Sequence, residues 1–173
     1  MEIMSWISDA YIVLCRHFSE IANLPITEVH IGECSSCVVS PRMIEQFVEP
    51  VASKIGLELG PLRLHSCGPS TNHLEAFSKI VNLHSLDLGG DTSLKRVREI
   101  FGGTPQGPNP KEMLISVSPL PNDMSAESTE PILHWAKNIC EENNGGNLEY
   151  IYHLEAGYNI NTIYALTDFV MKG

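Results

Sequence analysis

Strand-like and helix-like segments alternate along this chain, and that order constrains its fold more than any single motif. "ITEVHIGE" (26–33), "LRLHS" (62–66), "LHSLDLG" (83–89), "EMLISVS" (112–118) and "NLEYIYHLE" (147–155) read as strands, short and flanked by turn-forming residues. Apolar residues recur at helical spacing between them, and one helical segment stands in front. Strand followed by helix, five times over, implies a parallel sheet with right-handed crossovers, so an α/β fold is expected. Five strands do not close an eight-stranded barrel, which takes about 250 residues. An open sheet or part of a barrel would satisfy the pattern. With 173 residues and no linker, the chain is expected to form a single domain over residues 1–173.

The leading segment "SWISDAYIVLCRHFSEIAN" sets Ile7, Tyr11, Leu14, Cys15, Phe18 and Ile21 on one face, which predicts their burial. Ser40 and Pro41 are expected to open the next helix as cap and first-turn proline. Ile44, Phe47, Val48, Val51 and Ile55 then point inward, with Pro50 interrupting. "TNHLEAFSKIV" predicts a helix with Leu74, Phe77, Ile80 and Val81 inward, and "DTSLKRVREIFGG" one that ends on a glycine cap. A further helix is expected over about 125–142, and a last one in "NINTIYALTDFVMK", capped by Asn159 or Asn161. Residues 102–112, rich in Gly and Pro, are expected to be a long surface loop.

A net charge of −10 with eleven scattered basic residues argues against a nucleic-acid partner. The one basic cluster, "SLKRVRE", reads as the solvated face of a helix. No window approaches the roughly 18–20 apolar residues of a membrane span. The N-terminus lacks the basic start of a signal peptide, so a cytoplasmic location is expected. Five cysteines, an odd number, do not suggest a disulfide framework. Cys15 and Cys140 lie in helical apolar patterns and are expected to be small buried hydrophobes. Cys34, Cys37 and Cys67 fall at strand ends.

Functional groups in parallel α/β folds collect at the carboxyl ends of the strands. Those ends carry Glu33, Cys34 and Cys37, then His65 and Cys67, then Asp87 and Asp91, and last His153 and Glu155. The fourth, "SVSPLPND", offers little beyond Ser116, Ser118 and Asp123. His65 and Cys67 are two apart on a strand and share a face, where imidazole and thiolate make good zinc donors. The plainer alternative is a satisfied buried histidine beside a small apolar cysteine. Cys34 and Cys37 form a C-x-x-C, read as a zinc half-site, a redox pair or two unmetallated loop thiols. With His65 and Cys67 they would make a closed structural zinc site. Asp87 points inward at a strand mouth, where a carboxylate needs a metal, a basic side chain or a helix N-terminus. As a plain helix cap, Asp91 is better placed.

Four stretches, "GECSSCVVSPRMIEQFVEPVASKIG", "LRLHSCGPSTN", "LHSLDLGGDTSLKRVREIFGG" and "NINTIYALTDFV", resemble the uroporphyrinogen decarboxylase superfamily in order and spacing. That superfamily includes the cobamide-dependent methyltransferases, and its barrel is shared by cobalamin-independent methionine synthase. The resemblance covers nearly the whole chain and about the C-terminal half of a family member. It implies the last five strands of a TIM-type (β/α)8 barrel. Glu33 and Pro41 match the decarboxylases' acidic residue with a proline eight positions on, while His65, Cys67 and Gly68 match the H-x-C-G of the zinc methyltransferases. Asp87 falls about where those enzymes carry an acidic residue close to the metal. The resemblance thus implies catalytic positions at Glu33 and Asp87 and metal ligation by His65 and Cys67. The family's late G-C-G cysteine is absent from "HLEAGYN", so Cys34, Glu155 or His153 would stand in.

The implied activity, closest to the corrinoid methyltransferase branch, is zinc-dependent transfer of a methyl group from a corrinoid on a partner protein to a small-molecule thiol. The alternatives are a decarboxylase acting on a tetrapyrrole carboxylate, which needs more arginines than these strand mouths carry, and a non-catalytic barrel fragment or subunit. Half a barrel leaves open strand edges, so a homo-oligomer or pairing with an N-terminal barrel half is implied.

Overall fold

Period-two alternation gives the strands an apolar side and a more polar side, and the sheet is organised by that split. A computed structural model describes residues 2–101 and 113–172. The surface loop expected over residues 102–112 lies outside the described residues. The elements run α1 (Glu2–Ala22), β1 (Val29–Gly32), α2 (Pro41–Met43), α3 (Glu49–Leu59), β2 (Leu62–Ser66), α4 (Leu74–Phe77) and β3 (Leu83–Gly89). There follow α5 (Leu94–Phe101), β4 (Leu114–Ser118), α6 (Pro121–Met124), α7 (Glu130–Asn143), β5 (Leu148–Tyr150) and α8 (Ile160–Lys172). The five strands form one parallel sheet in the order β1-β2-β3-β4-β5, so the α/β expectation holds.

On one face Val29, Leu62, Leu64, Leu86, Leu88, Ile115 and Val117 are buried in one cluster with helix residues such as Ile12, Ile55, Phe77, Val97 and Ile132. Each fully buried leucine here is worth about 1.5–3 kcal/mol. The register aligns two rows on the other face. One joins His30, Arg63 and Ser85; the other joins Gly32, His65, Asp87, Ser116 and Glu149.

Ser40 takes the extended conformation of a cap and Pro41 sits in the first turn, although the Ser40 hydroxyl caps nothing. Pro50 does interrupt the second helix. A π turn over Ile44–Val48 precedes α3, whose first turn holds Pro50. The wider turn relieves the clash between the proline ring and the preceding carbonyls. At α8, Asn159 is the cap, with its Oδ1 accepting from the Asn161 N–H at 3.0 Å. Ser93, not Asp91, caps α5, accepting from the Arg96 N–H at 3.3 Å.

Several expectations fail for identifiable reasons. The last strand stops at Tyr150, because its partner β4 ends before Pro119, which has no N–H to extend a ladder. The Ile151 N–H still reaches the Val117 carbonyl at 2.9 Å, and beyond it the chain is coil. The helix expected from 125 is instead α6 and α7, with Pro131 in the first turn setting the later start. Val81 lies past the end of the short α4 and is exposed, and Cys140 is exposed as well, 3.0 Å from the Tyr150 hydroxyl.

The largest correction concerns α1. It buries Ser8 and Ile12 and half-buries Tyr11 and Cys15, leaving Ile7, Leu14, Phe18 and Ile21 exposed. Ion pairs of 2.6 Å, Lys54–Asp9 and Arg16–Glu58, fasten it to α3 along one side. The helix stands at the end of the sheet and its second apolar face meets no neighbour among the described residues. At the opposite end α8 exposes Ile160, Tyr164 and Met171 in the same way. No helix of the described residues is long and apolar enough to cross a membrane.

Candidate metal centre

The mouth of the first three strands is laced by small residues. The Glu33 N–H donates to the His65 carbonyl at 2.7 Å, tying the end of β1 to β2. Cys34 then starts a 3-10 turn (Cys34–Val38) whose buried Ser36 hydroxyl lies 3.2 Å from that of Ser66. The Ser66 hydroxyl lies 2.7 Å from that of Ser70, and the Ser70 N–H donates to the Thr92 hydroxyl at 3.0 Å. This chain of short contacts fixes the loops after β1, β2 and β3 against one another. Two glycines are needed where the loops meet. A Cβ on Gly68 would come 2.8 Å from Cys37 Sγ, and one on Gly89 would collide with the Cys67 carbonyl.

The result is a convergence of donors. One ligand atom each from Cys34, His65 and Cys67 lie within 4.8 Å of one another, with both thiols exposed and the imidazole half-buried. The Cys67 thiol titrates above its ordinary value, chiefly through its hydrogen bond to Cys34 and then through burial and the charges of Cys34 and Cys37. Cys37 stands beside the cluster and donates to the Cys34 carbonyl at 3.2 Å.

His65 also faces a harder set of groups. Its Nδ1 is 2.9 Å from Asp87 Oδ2. That distance suits a hydrogen bond but the alignment does not, and among the described residues His65 Nδ1 and Asp87 Oδ1 are buried without a hydrogen-bond partner. Asp87 is 7% exposed, with Arg63 Nη2 3.8 Å from its Oδ2. Arg63 Nη2 is engaged elsewhere, donating to the Ser116 hydroxyl at 2.8 Å and to Glu149 Oε2 at 3.4 Å. Ser116 in turn donates to Glu149 at 2.7 Å. The His30 ring stands edge-on to His65 with centroids 5.9 Å apart, and His30, His65 and Asp87 form a second group with donors within 4.8 Å of one another.

Of the residues singled out from sequence, Cys34, His65 and Cys67 come together and Asp87 lies against His65. Glu33 is half-buried, its carboxyl pushed above the usual range by burial, and it belongs to neither donor group. Glu155 and His153 lie in exposed coil after β5, also outside both groups. Sequence reasoning missed His30, which sits inside β1 and not at its end. The signal was present: His30 and Gly32 alternate onto the face that His65 shares, and Gly32 has no side chain to hold the two rings apart.

Two thiols and one imidazole with an open side are the donor set of a catalytic zinc site of the Cys2His kind. The imbalance at His65 Nδ1 and Asp87 Oδ1 is what a mouth built around a further ligand would show. No protein-family model matches the chain, and no curated protein matches it significantly.

Proposed function

We propose that this chain is the metal-bearing part of a zinc-dependent methyltransferase that moves a methyl group from a corrinoid to a thiol, built on five strands of a (β/α)8 barrel. The observation that carries the reading is the convergence of Cys34 and Cys67 with His65 at the carboxyl ends of two neighbouring strands. Zinc, when bound there, would supply a Lewis acid that lowers the pKa of a substrate thiol. The chain's own residues do the rest. Asp87 faces the His65 ring with Oδ2 2.9 Å from Nδ1, so its charge would favour a ligating imidazole. Exposure of Cys34 and Cys67 leaves the solvent side of the cluster open to a small thiol and to the corrinoid carried by a partner. Glu33, adjacent in sequence to Cys34 and with a raised pKa, is suited to accept the proton that the thiol sheds.

Zinc analysis of the purified chain tests the reading. A stoichiometric metal content that is lost in Cys67→Ala supports it, and a wild-type chain without metal at neutral pH overturns it.

The barrel reading draws on the sequential strand order and on the two ends of the sheet. β1 and β5 each have one strand neighbour, and α1 and α8 beside them expose apolar residues. Further β/α units, from an N-terminal half or a second copy, would cover both ends. Sedimentation of the chain as a stable monomer at high concentration would count against such a partner. Decarboxylation of a tetrapyrrole finds less support, because Arg63 on the polar face is occupied by Ser116 and Glu149.

A further inference from the structure

We propose that His30, His65 and Asp87 form a second cation position, distinct from the thiol cluster, that takes a divalent ion of the manganese or ferrous kind. Two imidazoles and one carboxylate are the donor set that such ions favour, whereas thiolates select softer ones. The three donors lie within 4.8 Å of one another, close enough for one ion to reach all of them. His65 Nδ1 is the nitrogen beside Asp87 and is the donor to this ion. A neutral imidazole offers one lone-pair nitrogen, so the two positions share His65 as alternatives and are not filled together.

Three further observations point to an ion there. Asp87 is buried to more than nine-tenths, and its Oδ1 has no hydrogen-bond partner among the described residues. His65 Nδ1 is buried and equally unpartnered despite its 2.9 Å approach to Oδ2, a separation that also suits two neighbouring ligands of one ion. There is also room. Gly32 is the register partner of His65, and a Cβ placed on it would meet no atom within 4 Å. The charge balance favours a cation despite Arg63, because Glu149 is already engaged with Arg63 and Glu28 lies on the same face, bound to the Ser85 hydroxyl at 2.9 Å.

The inference shares His65 and Asp87 with the methyl-transfer reading but none of its thiols, and one set of metal titrations separates them. In Cys34→Ser/Cys67→Ser the thiol side is removed at two exposed positions, so the fold is expected to persist, as circular dichroism would check. Mn(II) titrated into this variant and followed by electron paramagnetic resonance should show one saturable site. Co(II) should bind there with ligand-field bands but without thiolate-to-cobalt charge transfer. Adding His30→Ala or Asp87→Asn should weaken that binding at least tenfold. Absence of saturable binding in the double variant overturns the proposal, as does binding indifferent to His30 and Asp87. Should the double variant not fold, the same Mn(II) titration is run on wild-type chain and on His30→Ala, whose side chain is exposed. Equal affinity in the two would again overturn it. A wild-type chain that lacks the thiolate-to-cobalt band would defeat the zinc reading and leave this one standing.

Discussion

The two sides of the His65 ring are built by different means. On the thiol side, Cys34 and Cys67 are exposed and sit on loops held by serine hydroxyls and by glycines at points of close approach. On the carboxylate side, His30 and Asp87 are carried by strands, where the ladder with β2 dictates their positions. Strand-borne groups are placed by many backbone bonds at once, whereas loop-borne thiols depend on a few local contacts. The difference gives a division of labour in which the strands aim the imidazole and the hydroxyl-laced loops hold the thiols beside it.

Removing the shared ring should have the largest effect. His65→Ala is expected to abolish metal binding on both sides, a fall beyond the roughly 10–100-fold that loss of an outer partner brings. Metal analysis and Mn(II) titration read this, and retention on either side would show that the two do not share the ring. Asp87→Asn should come next, lowering affinity at the thiol side by about 10–100-fold. The thiolate-to-cobalt spectrum should keep its shape; a changed band would mean that Asp87 is itself a ligand there.

A pair of glycines separates the two sides by stability. Gly89→Ala drives a methyl into the Cys67 carbonyl and should cost about 1–3 kcal/mol in urea unfolding, with weaker zinc binding. Gly32→Ala meets open space at an ordinary backbone conformation and should stay within about 0.5 kcal/mol of wild type. Equal losses would erase the contrast between a packed loop side and an open strand side.

The smallest effect concerns pH. Burial raises the Glu33 pKa in the folded chain, so the stability linked to it is present below the ordinary glutamate pKa and lost as pH rises through the raised value. Glu33→Gln should flatten that loss in thermal melts taken across this interval, without changing stability at the acidic end.

The strands flanking the site were the most legible in sequence. β2 and β3 have the expected bounds, because β2 alternates cleanly and the two stop at a Gly-Pro turn and a Gly. β5 was overextended, because "IYHLE" has the composition of a strand but no partner past Pro119. The inward face of α1 was misjudged for a related reason: periodicity shows that a helix has an apolar face, not which neighbours are there to cover it. At the site, His65 and Cys67 were readable from their spacing. The approach of Cys34 and the T-shaped contact with His30 depend on register between strands more than 30 residues apart, which no local pattern encodes.

The sequential order of the sheet bears on how the proposed ligands come together during folding. Each strand pairs only with the strands before and after it in the chain, so every loop closed during folding spans a single β/α unit. All the proposed ligands, from His30 to Asp87, precede β4. During synthesis all of these residues emerge before β4 does. An ion captured then would staple the first two loops together and stabilise a nascent half-sheet on which β4 and β5 are afterwards templated.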